Sequence, residues 1–285
     1  MRPEYVTDQA LNDFIERALA EDLGDGDHST LASVPENATN AAYLVMKESG
    51  IIAGMALAEI IFHKLDANIM LEPLVKDGDV VKSGDVILRI KGSARAILSG
   101  ERLLLNCMQR MSGIATKTAG LNKLMAGTKA KLLDTRKTTP NMRMLEKWSV
   151  LIGGGVNHRY GLFDMIMLKD NHNDFAGGIT AAVTATKNYL EKTGRNLKIE
   201  VETRDLAEVK EALAVGGVDR IMLDNMSNED MTKAVSIIAG RSETEASGGI
   251  TETTIQGVAQ TGVDFISVGA LTHAIKSLDI SLKAE

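Results

Sequence analysis

The chain has 285 residues, 44% of them hydrophobic and 25% charged, with a net charge of −6 at neutral pH. That composition can bury one large core or two moderate ones, which excludes a disordered chain, and the acidic balance argues against nucleic acid or an anionic membrane as a partner. No apolar run reaches the roughly 20 residues a membrane helix needs, and the opening Met1-Arg-Pro-Glu-Tyr-Val-Thr-Asp8 lacks the apolar centre of a secretion signal, so a cytoplasmic protein is expected.

The first elements read as an α+β unit. Leu11, Ile15, Ala18 and Leu19 share one face of a helix, and Asp22-Leu-Gly-Asp-Gly-Asp27 turns the chain after it. A strand follows at Ala42 to Met46, then an apolar helix from Met55 to His63, and Val75 to Ile90 reads as strands punctuated by two Gly-Asp turns. A helix from about Ala94 to Met111 closes this part and leads on through Ser112-Gly-Ile-Ala-Thr116. It carries Cys107, the only cysteine, which excludes an internal disulfide and has no ligand-spaced partner for zinc. A buried, inert thiol suits that apolar helix better than a nucleophile. His28 and His63 are read as structural, and Met108, Met111, Met165 and Met167 as core filler.

From Lys131 onward short apolar strands alternate with helix-period segments. They are Lys131-Leu-Leu-Asp134, Phe163 to Leu168, Leu197 to Glu202, Asp219 to Asp224 and Phe265 to Gly269, with helices after Glu202 and around Met231 to Ile238. Strands buried on both faces fit a parallel sheet, and this run of units fits a closed or nearly closed α/β barrel. A polar or small residue ends almost every strand: Asp134, Lys169, Glu202, Asp224, Ser247 and Gly269. Barrels build their sites on those loops, whereas an open doubly wound sheet would gather them at one switch point. The tail, Ser277 to Lys283, reads as a strand returning to the first domain. The expected division is residues 1–112 with 274–285, and 113–273 as the barrel.

Between Asp134 and His172 an acidic protein concentrates Arg136, Lys137, Arg143, His158, Arg159 and Lys169. Ordinary surface cations would explain any two of these, but not all of them beside strand ends. A small, multiply anionic substrate explains the set. Guanidinium groups grip a planar carboxylate through two parallel donors, so Arg136 and Arg159 suit carboxylates, while Lys137 and Lys169 suit phosphate or a point charge. Pro140 is expected at a helix's first turn, aiming its N-terminus at this loop. Gly153-Gly154-Gly155 is expected to end a helix and to free the backbone that presents Asn157, His158 and Arg159. Ser247-Gly248-Gly249 and Gly269-Ala270-Leu271 place small residues where two late loops would approach a phosphate. Glu202 and Asp224 are acids in a cationic setting, suited to ribose hydroxyls, magnesium or a developing oxocarbenium ion, or to pairing with Lys169 or Arg159.

Asp134-Thr-Arg-Lys-Thr-Thr-Pro140, Gly153-Gly-Gly-Val-Asn-His-Arg159, Leu168-Lys-Asp-Asn-His172, Glu200-Val-Glu202, Leu223-Asp-Asn225, Ala246-Ser-Gly-Gly-Ile250 and Leu271-Thr-His273 together resemble the quinolinate phosphoribosyltransferase family. Glu21 to Asp27 and Gly100 to Asn106 extend the likeness over nearly the whole chain. The resemblance implies an α/β fold, with an N-terminal α/β sandwich domain and an incomplete TIM-like barrel of parallel strands. It also implies a homodimer, or a multiple of dimers, in which Arg102 crosses to the partner's site. By motif, Arg102, Arg136, His158, Arg159 and Lys169 would hold the two quinolinate carboxylates, and Lys137 the pyrophosphate of phosphoribosyl pyrophosphate. Glu202 and Asp224 would hold ribose hydroxyls and Mg2+, and Ser247, Gly248, Gly249 and Gly269 the 5′-phosphate. Lys137, Lys169, Glu202 and Asp224 form the expected catalytic set, with no organic cofactor. Asn141, where the family often has glycine, and His28, which lengthens the polar turn after Asp27, depart from the pattern.

The implied reaction joins the quinolinate nitrogen to ribose C1, expels pyrophosphate, and loses the C2 carboxylate as CO2 to give nicotinate mononucleotide. Two enzymatic alternatives are a nicotinate-specific phosphoribosyltransferase and the molybdenum-transport-associated paralogue. Nicotinate, with one carboxylate, leaves these cations over-supplied. A lipoyl or biotinyl carrier, suggested by the turns of Val75 to Ile90, leaves the polar strand ends unexplained.

Overall fold

A computed structural model describes residues 2–285. Two compact units divide the chain: residues up to Ala119 with Thr138–Gly154 and Leu271–Glu285, and Gly120–Lys137 with Gly155–Ala270.

In the first unit, α1 (Asp8–Leu23) starts where the Thr7 side chain accepts the Ala10 amide, and it buries Leu11, Ile15 and Leu19. Asp27 caps α2 (His28–Ser33) by accepting the Thr30 amide at 3.0 Å. His28 therefore opens a helix instead of lengthening the turn. Then come β1 (Thr39–Met46), β2 (Gly50–Ile51), α3 (Met55–Leu65), β3 (Met70–Pro73), β4 (Val80–Val81) and β5 (Val86–Ser93). β1 alternates toward the core through Ala42, Leu44 and Met46. These residues share one core with Leu11, Ile15, Leu57, Ile61, Phe62, Leu104 and Met108. The four-stranded sheet is antiparallel, and its outer member beside β1 is the chain's last strand, Ile280–Ala284, with Leu44 opposite Leu282.

α4 runs without a break from Ala94 to Leu124, well past the expected end near Met111. Glycine at position 113 is tolerated, at about 1 kcal/mol relative to alanine, because the tail crosses there. A Cβ on Gly113 would lie 2.4 Å from the Lys276 carbonyl oxygen. Gln109 ties the same tail down, accepting from the Leu278 amide at 3.0 Å and donating to the Ile280 carbonyl at 2.9 Å. Cys107 is buried in this helix, and desolvation pushes its thiol up to about 12, so it is inert.

α5 (Arg143–Ile152) also belongs to the first unit and is capped by Met142, so Pro140 precedes the helix and does not occupy its first turn. Asn141 between them has φ +65°, a left-handed conformation that favours glycine and next asparagine. The departure at this position keeps the backbone shape. Buried Glu146 on α5 accepts from Arg110 Nε at 2.7 Å and from the Thr139 amide at 3.1 Å, which fixes the loop before the helix. Gly153 closes α5 where a Cβ would meet the Ala115 carbonyl at 2.4 Å, and Gly154 turns at φ +83°.

The second unit holds β6 (Lys131–Leu133), β7 (Ile166–Leu168), α6 (Asp170–Ala176), α7 (Ile179–Thr193), β8 (Ile199–Thr203), α8 (Leu206–Val215), β9 (Arg220–Asp224), α9 (Asn228–Ile238), β10 (Glu243–Ser247), α10 (Ile255–Gln260) and β11 (Phe265–Ser267). All six strands are parallel in the order β6-β11-β10-β9-β8-β7, so the chain-consecutive pair β6 and β7 ends on opposite edges. Val156 bridges Leu133 at the outer edge of β6, and among the described residues no ladder joins β6 to β7, so the barrel is incomplete. Gly217-Val-Asp219 and Gly262-Val-Asp264 introduce β9 and β11 alike. Asp219 Oδ2 accepts the Ile199 amide at 2.7 Å, and Asp264 Oδ2 accepts the Thr244 amide at 2.9 Å, so each aspartate fixes where the neighbouring strand begins.

Candidate active site

The register of the parallel strands puts Lys169, Glu202, Asp224, Ser247 and Gly269 at or just past the carboxyl ends of β7 to β11, with Arg136 and Lys137 in the loop after β6. That edge is where a barrel's loops and helix starts gather. Half-buried Arg159 donates from Nη1 to the Met165 carbonyl at 3.3 Å. Burial lowers its pKa, and so does the charge of nearby Arg136. Glu200 and Asp164 offset part of this repulsion, and a bound anion would offset more.

Acid stands against this basicity. Glu202 is half-buried, and its carboxyl lies above the usual range, first through desolvation and then through Asp224 and Asp170, while Lys169 pulls the other way. Asn173 on α6 donates to the Glu202 carbonyl at 3.2 Å, and the Lys169 amide donates to His172 Nδ1 at 3.1 Å, so α6 steadies the ends of β7 and β8. Asp224 and Asp170 thus act on Glu202 as like charges, which hydroxyl donors or a cation brought in by substrate would relieve.

The small residues after β10 have a steric reason. Gly248 turns at φ +97°, and a Cβ there would sit 2.2 Å from Asn225 Oδ1. Asn225 has φ +54°, sends its amide to the Ser247 carbonyl at 2.9 Å and its Nδ2 to Asp224 Oδ2 at 2.6 Å. The loops after β9 and β10 are thus locked side by side with backbone exposed at Gly249, a surface that lets a phosphate come close.

Sequence reasoning found Glu202 and Asp224 but missed the charged residues deeper in the barrel, Glu200, Arg220, Glu243 and Glu245. Along β8, β9 and β10 the inward positions are Glu200 and Glu202, Arg220 and Asp224, Glu243 and Glu245. Glu200 and Glu245 are fully buried two strands apart, a flat-sheet separation of about 10 Å, yet one oxygen of each lies within 4.8 Å of the other and of a His158 nitrogen. Arg220 donates to Glu245 Oε2 at 2.9 Å and to Glu243 Oε2 at 3.0 Å, and its guanidinium stacks 4.1 Å over Phe265. The period-two spacing of Glu200, Glu202, Arg220, Asp224, Glu243 and Glu245 was the available signal, obscured because both faces of these strands are buried.

His158 turns toward this interior, with its Nε2 2.9 Å from Glu200 and 3.5 Å from Glu245. Burial alone would lower its basicity, but the two carboxylates outweigh burial and push it up to about 9. The Arg159 amide lies 2.7 Å from Nδ1, so both ring nitrogens face protein. Arg102, by contrast, is exposed on α4 of the first unit, and Arg143 donates there to Thr138 Oγ1 at 3.0 Å.

Clustered guanidinium groups, crowded carboxylates and a glycine-lined loop at the open edge of a parallel barrel define an α/β-barrel enzyme for polyanionic substrates. Models of the quinolinate phosphoribosyltransferase C-terminal and N-terminal domains match residues 114–283 and 27–112. The chain is 49% identical to the Arabidopsis thaliana chloroplastic nicotinate-nucleotide pyrophosphorylase (carboxylating), over 95% of this chain and 82% of that protein. With the probable nicotinate-nucleotide pyrophosphorylase (carboxylating) of Bacillus subtilis the identity is 42%, over 95% and 92%. The solved nicotinate-nucleotide pyrophosphorylase of Francisella tularensis superposes with a TM-score of 0.92 at 41% identity, covering 98% of each chain. The chain belongs to the quinolinate phosphoribosyltransferase family. Among the described residues no helix is long and apolar enough to cross a membrane.

Proposed function

We propose that the barrel mouth transfers the phosphoribosyl group of phosphoribosyl pyrophosphate to quinolinate and releases CO2, giving nicotinate mononucleotide for NAD biosynthesis. The observation that carries this reading is the Arg136–Arg159 juxtaposition. A dicarboxylate is a ligand that answers two neighbouring guanidinium groups with two charges. Arg136, Arg159 and Lys169 bind its carboxylates and hold the ring nitrogen toward ribose C1, and Lys137 meets the pyrophosphate. Holding two reactants in attack geometry is worth several kcal/mol of barrier, on the order of 7 in favourable cases.

As pyrophosphate departs, positive charge grows at C1, and Glu202 and Asp224 face it with fixed negative charge. The Mg2+ accompanying phosphoribosyl pyrophosphate would be held against Glu202 and Asp224 and would neutralise the leaving group. Ser247, Gly248, Gly249 and Gly269 receive the 5′-phosphate. After transfer the pyridinium ring takes up the electrons left by CO2, so decarboxylation needs no protein-bound organic group. Arg102 completes the site from the other subunit of a homodimer.

Incubation with quinolinate, phosphoribosyl pyrophosphate and Mg2+ is expected to yield CO2 and the mononucleotide in equal amounts. Nicotinate in place of quinolinate is expected to react at least tenfold less efficiently; equal use of the two would overturn the dicarboxylate assignment.

A further inference from the structure

α4 holds the main chain of the tail at several points. Lys117 donates to the Ala274 carbonyl at 2.8 Å, Gln109 donates to the Ile280 carbonyl at 2.9 Å, and Arg110 donates from Nη2 to the Thr272 carbonyl at 3.0 Å. Arg110 reaches a second segment as well. Its Nη2 donates to Thr139 Oγ1 at 2.8 Å and its Nε to Glu146 Oε1 at 2.7 Å, while Glu146 Oε2 takes the Thr139 amide at 3.1 Å. Glu146 and Thr272 are fully buried. The chain leaves the barrel unit after Lys137 and again after Ala270, and Thr139 and Thr272 are each the second residue beyond those points. The strands that lead there, β6 and β11, are neighbours in the sheet, with Leu133 opposite Ser267. One guanidinium thus ties together the continuations of two adjacent strand-end loops.

We infer that Arg110 is a positioning residue for phosphoribosyl pyrophosphate: by holding Thr139 and Thr272 on one guanidinium, it sets the spacing of the loops that present Lys137 to the pyrophosphate and Gly269 to the 5′-phosphate. It acts through those two residues. A substrate with an anionic group at each end needs two grips at a fixed separation, and misplacing one by about 1 Å costs on the order of a hundredfold. A guanidinium suits the task because its donors are fixed in a planar fork, whereas lysine offers one flexible point. Glu146 orients that fork and takes the Thr139 amide, so both the side chain and the main chain of Thr139 are fixed. Quinolinate draws on Arg159 and Lys169, which lie on neither loop, and depends less on the clamp. The competing reading is plain stitching of the tail to α4, as Gln109 does.

The inference rests on the proposed phosphoribosyl transfer for the identity of the two-ended anion. Arg110→Lys keeps a cation beside buried Glu146, so that charge is not stranded, but it gathers the donors on one atom. It is expected to raise the phosphoribosyl pyrophosphate KM about tenfold or more and the quinolinate KM by less than about threefold. Thr139→Val removes one acceptor and is expected to raise the same KM about threefold, adding nothing further in an Arg110→Lys background. Gln109→Ala, which loosens the tail without touching Thr139 or Thr272, is expected to lower the melting midpoint and leave both KM values within about twofold. Equal rises in both KM values, additive losses, or the same phosphoribosyl pyrophosphate defect in Gln109→Ala would overturn the inference. Calorimetry with phosphoribosyl pyrophosphate and Mg2+, beside phthalate as a dicarboxylate with no ring nitrogen to react, gives a readout without turnover. Arg110→Lys is expected to weaken that binding about tenfold or more, and unchanged binding would overturn the inference. If the unaltered protein binds phosphoribosyl pyrophosphate but does not use quinolinate, the quinolinate reading falls and this binding loss still decides the role of Arg110. If it binds none, both fall.

Discussion

At the scale of single residues, stability and function pull in opposite directions at the barrel mouth. Arg159 sits partly buried beside Arg136, an arrangement that gains nothing for the unliganded fold. Arg136→Ala and Arg159→Ala are therefore each expected to cut kcat/KM for quinolinate by about a hundredfold or more, with the melting midpoint shifted by less than about 2 °C. Steady-state kinetics beside a thermal melt decides this, and wild-type-like kinetics in either variant would remove that arginine from the substrate. The paired Glu202→Gln, Asp224→Asn variant should bind quinolinate normally in calorimetry and turn over about a hundredfold more slowly; an unchanged turnover number would contradict a role at C1. Relief of the Asp224 and Asp170 charges around Glu202 predicts no loss of stability in that variant. Arg136, Glu202 and Asp224 were legible in the sequence because each ends or follows an apolar strand, and Arg159 because it follows a glycine run. His158 was legible as a member of the site but not in its orientation, since nothing in its neighbours' identities says which way the ring turns.

At the scale of elements, the strands were readable from their apolar runs and the barrel from their repetition, but the devices that fix register were not. Asp264 is one of these. Burial works against its charge, but hydrogen bonds from Lys129 and from the Thr244 side chain and amide outweigh it and hold the carboxyl below its ordinary range. A group whose folded pKa is depressed contributes stability above its unfolded pKa, near 3.9, and that stability fades as pH falls through the folded value. Asp264→Asn is thus expected to cost about 1–2 kcal/mol in urea unfolding at pH 7, discounted for its partial exposure, with the gap closing only below about pH 4. A gap already absent at pH 6 would assign the effect to another group. α4 was underestimated for a different reason. Gly113 reads locally as a helix end, and the tail that requires a glycine there lies more than 160 residues further along the chain.

At the scale of the whole molecule, Arg102 tests how the enzyme is assembled. It is exposed on α4 of the first unit, whereas the other expected carboxylate ligands belong to the second. If a homodimer completes each barrel mouth with the partner's Arg102, then Arg102→Ala and Arg136→Ala damage different halves of one composite site. Each variant alone should lose about a hundredfold or more in kcat/KM. Refolding the two together in equal amounts gives heterodimers as half of the population, and in each of these one site receives both defects and the other neither. Activity should recover to about a quarter of the wild-type value, and mixing Arg159→Ala with Arg136→Ala, both on the same half, should recover none. Recovery in neither mixture, with dimers verified by light scattering, would place Arg102 in the service of its own chain's site.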